Sequence, residues 1–182
     1  MHESVQSNHR EYTFLLPSVH TSVESQGRDA KPDVEKNKQV KNTVESPFHF
    51  IHGNPILDRK STFTAYLLPN VISPRLVPQA MHQLLSDRYI ARATHNIMAY
   101  RIQSQSTPSV FHQDYDDDGE TAAGSRLLHM LAAMNAVNVL VVVSRRFGGI
   151  KLGPDRFRHI NNAARQVIES YQRSLGHTMT KK

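Results

Sequence analysis

The sequence contains no cysteine. This excludes disulfide scaffolds, thiolate zinc sites, thiol catalysis and cysteine-based redox sensing, and it fits a reducing compartment. Long apolar runs are missing too. No stretch approaches the ~18 apolar residues of a membrane span. Phe14-Leu15-Leu16, closed by Pro17, is shorter than the roughly 7–15-residue apolar core of a secretory signal. A transit peptide would be Arg-rich and acid-poor, and the first fifty residues are neither. The expected location is the cytoplasm, with the nucleus second, and no membrane association is expected.

Several catalytic signatures are absent as well. The 11 histidines form no HExxH pair, and His95, His112, His129 and His159 fall in different segments, so their spacing assigns no metal site. Gly124-Ser125 lacks the G-x-S-x-G elbow. Gly148 and Gly153 have Walker spacing, but Pro154 and Asp155 stand where Lys and Ser/Thr must follow, so this is not a phosphate-binding P-loop. Asp114, Asp116, Asp118 and Gly119 open like a calcium-binding EF-hand loop. Position twelve of that loop would be Ser125, not the bidentate Glu that clamps the ion. No catalytic residue, metal or cofactor is therefore assigned.

What is present is 182 residues with a formal net charge of +6, room for one ordinary domain and a tail. The charge is uneven. Residues 1–50 carry 6 Lys/Arg against 7 Asp/Glu, and the remainder carries 16 against 9. Up to about residue 50 the valines stand singly among polar neighbours. Such a stretch buries too little apolar surface to offset its ordering entropy, so its composition predicts a disordered polar tail. The folded module is expected over 51–175, with a short basic tail over 176–182.

Within the module, Ser61–Leu68 is rich in β-branched and aromatic residues and predicts a strand. Leu76, Val77, Ala80, Met81, Leu84 and Leu85 recur at helical spacing and predict a helix over 74–89. Thr94–Ile102 and Val110–Tyr115 predict two strands around a polar loop. Thr121–Met134 predicts a helix introduced by acids that complement its dipole. Val137–Ser144 is a near-continuous apolar run, expected as a central strand covered on at least one face. Gly153-Pro154-Asp155 is a strong helix start, leading to about Tyr171. The order β-α-β-β-α-β-α predicts an α+β fold, a two-layer sandwich with helices on one face of a mostly antiparallel sheet.

Two charged stretches are the candidate sites. Arg145, Arg146, Lys151, Arg156 and Arg158 surround Gly148, Gly149, Gly153 and Asp155. Here a glycine turn feeds a helix N-terminus, as an anion- or partner-binding surface would require. Asp116, Asp117, Asp118 and Glu120 form an acidic contact surface. Five acids over 114–120 repel one another, so a basic partner or a neighbouring arginine cluster is expected beside them.

Several blocks, in order from about residue 55 to 170, resemble the Impact family: Asp58-Arg59-Lys60-Ser61-Thr62-Phe63, Ala93-Thr94-His95-Asn96-Ile97, Ala99-Tyr100-Arg101, 117–124, Val141–Arg145 and Phe147-Gly148-Gly149-Ile150. Leu152-Gly153-Pro154-Asp155-Arg156-Phe157 and His159-Ile160-Asn161-Asn162 are similar to the eukaryotic branch. The resemblance implies a fold like the second domain of ribosomal small-subunit protein 5. It implies a non-enzymatic regulator of translation under amino-acid starvation, in the general-control response. Such a protein restrains the kinase of initiation factor 2 alpha by competing for the activator of that kinase. Implied partners are proteins of that pathway and actin. Alternatives are an RNA- or ribosome-binding module, motivated by the basic cluster, and a divalent-metal-dependent phosphate enzyme built on the acidic run. Family regulators carry an RWD domain ahead of this module, and about fifty residues are expected to be too few to hold one. Arg146 stands where an aromatic residue is usual, and Ser125 where a glycine is.

Overall fold

The computed structural model describes residues 48–179. The expected polar tail thus lies outside the described residues except for Phe48-His49-Phe50. These three are already part of the folded unit. Phe48 N–H donates to Gln83 Oε1 at 3.1 Å, Gln83 Nε2 donates back to the Phe48 carbonyl at 2.6 Å, and Phe48 and Phe50 pack against the core.

The elements in chain order are β1 (Ile51–His52), β2 (Ile56–Asp58), β3 (Ser61–Pro69), α1 (Leu76–Leu85), α2 (Arg88–Ala91), β4 (His95–Gln103), β5 (Phe111–Asp116), α3 (Ala123–Ala133), β6 (Val139–Arg146) and α4 (Asp155–Met179). All strands pair antiparallel, in the order β1-β3-β6-β4-β5, with β2 also on β3. The α+β fold and the antiparallel sheet are as expected. The helix that begins near Asp155 runs to Met179, past the expected module end at 175.

β6 is central because its sequence allows nothing else. Val139 to Arg145 are all buried, so both faces of the strand need cover. Alternation sends Val139, Val141 and Val143 to one face, where residues of α3 and α4 (Leu127, Leu131, Ile160, Ala164, Val167) join Phe63, Leu67 and Ile97 in the main core. It sends Leu140 and Val142 to the other face, against Tyr66, Leu68, Ile102 and α1–α2 residues Val77, Ala80, Leu84 and Ile90. Full burial of each such aliphatic side chain is worth about 1.5–3 kcal/mol. The long helices share one side, as in the expected sandwich. The short pair α1–α2 lies on the other, a layer beyond the helices-on-one-face arrangement.

The helix expected over 74–89 is broken after Leu85. Asp87 takes an extended ψ of 112° and its carboxylate accepts the Tyr89 N–H at 2.7 Å, an N-cap that starts a second, shorter helix. The β2–β3 hairpin closes on Arg59 and Lys60, both at positive φ (45° and 65°), as a type I′ turn demands of two-residue hairpin loops.

Candidate functional site

The acidic turn 114–120 is wound tightly by its own carboxylates. Asp116 accepts the Asp118 N–H at 2.9 Å. Asp117 accepts N–H groups from Ala122 at 2.9 Å and Gly124 at 2.6 Å. Asp117 therefore caps α3 from several residues upstream, because Ala122, at φ 67°, has no polar side chain to do so. Asp118 accepts the Asn96 N–H at 2.7 Å and ties the turn to β4. His95 Nδ1–H donates to the Asp118 carbonyl at 2.7 Å. A Cβ on Gly124 would stand 2.7 Å from the Tyr115 ring and 3.0 Å from the Asp117 carboxylate, so glycine lets the turn close on the helix.

Glu120 ends the turn and is buried away from the expected acidic contact surface, whereas Asp116 and Asp118 are exposed. Glu120 is 5% exposed. One carboxylate oxygen accepts from Arg145 Nη1 and the other from Arg156 Nε at 2.7 Å. His95 Nε2 stands 3.7 Å from the first oxygen. Arg145 is itself buried, between the rings of Phe63 and Phe147 at 5.7 and 5.8 Å. Burying a charge is costly unless it is paired, and Glu120 accepts from both arginines while Arg145 Nε stays buried without a hydrogen-bond partner among the described residues. Thus the acidic turn and the arginine cluster meet at Glu120, which joins Arg145 and Arg156.

The other predicted residues divide. Arg146 donates to the carbonyl oxygens of Tyr89 and, at 3.5 Å, Arg92, and lies 3.8 Å over the Tyr89 ring. Asp155 pairs with Arg59 at 2.5 Å and with Arg158 at 3.2 Å, and Arg59 holds its carboxyl below the usual range. Gly148 abuts the β2–β3 turn, where a Cβ would come within 2.1 Å of the Lys60 carbonyl carbon. Its N–H donates to Ser61 Oγ at 3.1 Å. Gly149 and Gly153 have positive φ (88° and 54°), which glycine adopts freely. Lys151 is exposed, and so are Phe147 and Ile150 of the same loop.

Two members of this region escaped sequence reasoning. Asp58 accepts from Arg59 at 3.0 Å and pairs with His159 Nε2 at 2.8 Å. Arg59 first, and His159 second, hold its carboxyl down at about 2. Nothing local announces a partner 101 positions away. Among the described residues no three His, Asp or Glu side chains converge on a point that could hold a metal ion. No helix among them is long and apolar enough to cross a membrane.

A family model described as the Impact N-terminal domain matches residues 59–168, which include the hairpin turn, the Glu120 network and the glycine loop. The chain belongs to the Impact family. It is 51% identical over 136 residues to Protein IMPACT of Oryctolagus cuniculus, covering 75% of this chain and 42% of that one. It is 56% identical over 117 residues to Protein IMPACT of Homo sapiens, covering 64% and 36%. A solved structure of the two-domain translational regulator Yih1 superposes with a TM-score of 0.50 at 38% identity, covering 79% of this chain and 54% of Yih1. The chain therefore spans less than half the length of these curated Impact relatives.

Proposed function

We propose that this Impact-family chain is a non-enzymatic regulator of translation in the amino-acid starvation response. In this reading it acts in the cytoplasm, through protein contacts that restrain the kinase of initiation factor 2 alpha. The observation that carries the reading is the match at about half identity to Protein IMPACT across the whole module, with Yih1, a translational regulator, as structural neighbour. The site geometry supports it. Glu120 faces two guanidinium groups rather than a cleft, and the Asp117 and Asp118 carboxylates hold backbone N–H groups. Carboxylates so engaged stiffen a contact module. The RNA- or ribosome-binding reading loses support, because Arg145 and Arg156 are paired internally with Glu120.

The direct partner proposed is the activator of the kinase, with actin second. The test is a pull-down of purified kinase, activator and actin by the full chain at physiological salt. Retention of the activator is expected. If none of the three is retained, the reading fails.

A further inference from the structure

Among the described residues, the sheet face opposite the long helices is only half covered. Under α1 and α2 its residues Tyr66, Leu68, Leu140 and Val142 are buried. The rest of the face follows from the register. Leu57 stands opposite Thr62, and Thr62 opposite Arg146. Directly opposed residues of antiparallel strands project to the same face, so these three form one row across β2, β3 and β6. Thr64 extends the row along β3. Leu57 is 72% exposed, and Thr62, Thr64 and Arg146 are half-buried. At the border of the covered half Tyr89 of α2 is 62% exposed, its ring against the Arg146 guanidinium. The two hydrogen-bonded carbonyls of α2 fix that guanidinium in place.

The charge around this row is mostly positive, with Asp87 the acid beside it. Arg88 and Arg92 flank Tyr89 and are exposed. Among the described residues no acidic side chain pairs with Arg88, Arg92 or Arg146. Asp58 is turned to the α4 side by His159, and the Asp87 carboxylate is engaged by the Tyr89 N–H. An exposed leucine and tyrosine within a fixed frame, rimmed by unpaired arginines, have the composition of a protein-contact centre. There Tyr and Arg are enriched and the cations select an acidic partner.

We propose that the uncovered row Leu57–Thr62–Arg146, with Thr64 and Tyr89, is a docking surface for an acidic segment of a partner protein that anchors an apolar side chain against Leu57 and Tyr89. The proposal rests on the protein-contact reading above for the class of its occupant. Leu57 at the β2 end of the row, and a tyrosine ring already covered on one side by Arg146, suit an aliphatic anchor better than stacked bases.

The test is fluorescence anisotropy of the full chain with a labelled 16-residue peptide carrying Leu at every fourth position among Glu residues. A Ser-for-Leu version of the peptide and a single-stranded oligouridylate are the comparison probes. Saturable binding of the Leu peptide is expected, weakening as salt rises. Leu57→Asp should lower affinity about tenfold or more, and Arg165→Glu, on the exposed side of α4, should leave it unchanged. Amide NMR shifts should map to Thr62, Thr64 and Tyr89, which reports the site whatever the variants do to folding. The proposal is overturned if the Leu peptide does not bind, if Leu57→Asp binds as tightly as wild type, or if only the oligouridylate binds this face. The two readings fail separately. A wild-type chain that binds the peptide here but retains no pathway protein sinks the starvation-response reading alone. A successful pull-down with no peptide bound here sinks the surface alone.

Discussion

Arg145 and Arg146 are neighbours in the chain and belong to two differently built regions. Strand alternation sends Arg145 to the side of the long helices, where it is buried against Glu120 and completes an ionic network with Arg156. It sends Arg146 to the half-covered side, where it lies on an exposed tyrosine with no acid among the described residues paired to it. The first region shares one buried carboxylate between two arginines, and in the second the guanidinium meets carbonyls and a ring. A run of basic residues read along a sequence is therefore not one surface. When it sits on a strand, the pleat divides it between two environments.

Three substitutions would break or sharpen this contrast. Glu120→Ala has the largest expected effect. It leaves the Arg145 charge buried without a carboxylate, a loss of about 3–5 kcal/mol for breaking a buried pair, measured by urea denaturation. An unchanged midpoint would show that the network carries no stability. Arg146→Ala removes only the carbonyl and ring contacts to α2, so the same measurement should show about 1 kcal/mol or less. A loss equal to that of Glu120→Ala would erase the distinction between the regions.

The smallest effect concerns the partly exposed end of the first region and is lost in acid. The Asp58 carboxyl titrates at about 2 in the fold against an ordinary 3.8. A lowered folded value means stabilisation that is fully present above the ordinary value and is lost as pH falls through about 2. Because the group is exposed and screened, salt should shrink the effect. Asp58→Asn should therefore be slightly less stable than wild type near neutrality, with the difference vanishing as pH falls from about 4 to 2. Parallel acid limbs for the two proteins would show that the Arg59 and His159 pairing is without consequence.

The central strand was readable because seven consecutive buried positions leave a compositional trace that needs no partner. The start of α4 was readable for a similar reason, since Gly153-Pro154-Asp155 is local punctuation. The division of the helix over 74–89 was missed because its apolar spacing continues across the Asp87 cap. β1 and β2 were missed because they are two and three residues long, too short for alternation to register. The proximity of acidic turn and arginine cluster was foreseen as a need for countercharge, but the burial of Glu120 was not. Glu120 sits among small and acidic residues, and its partners lie 25 and 36 positions away. Long-range pairing of this kind is set by topology. The half-covered face is likewise invisible along the chain, because it depends on how far a short helix pair reaches across the sheet.

The place of β6 has a consequence for how the chain is made. It is the middle strand of the sheet and the last to be synthesised, and the contact of Gly148 with Ser61 joins residues 87 positions apart. Until it emerges from the ribosome, β3 and β4 each present an open edge with no neighbour between them, and the β2–β3 and β4–β5 hairpins form apart from each other. Folding must then wait on the C-terminal third of the chain. Unpaired edges of this kind invite association with other chains. A nascent protein of this topology has its greatest need of chaperones just before its most apolar strand arrives.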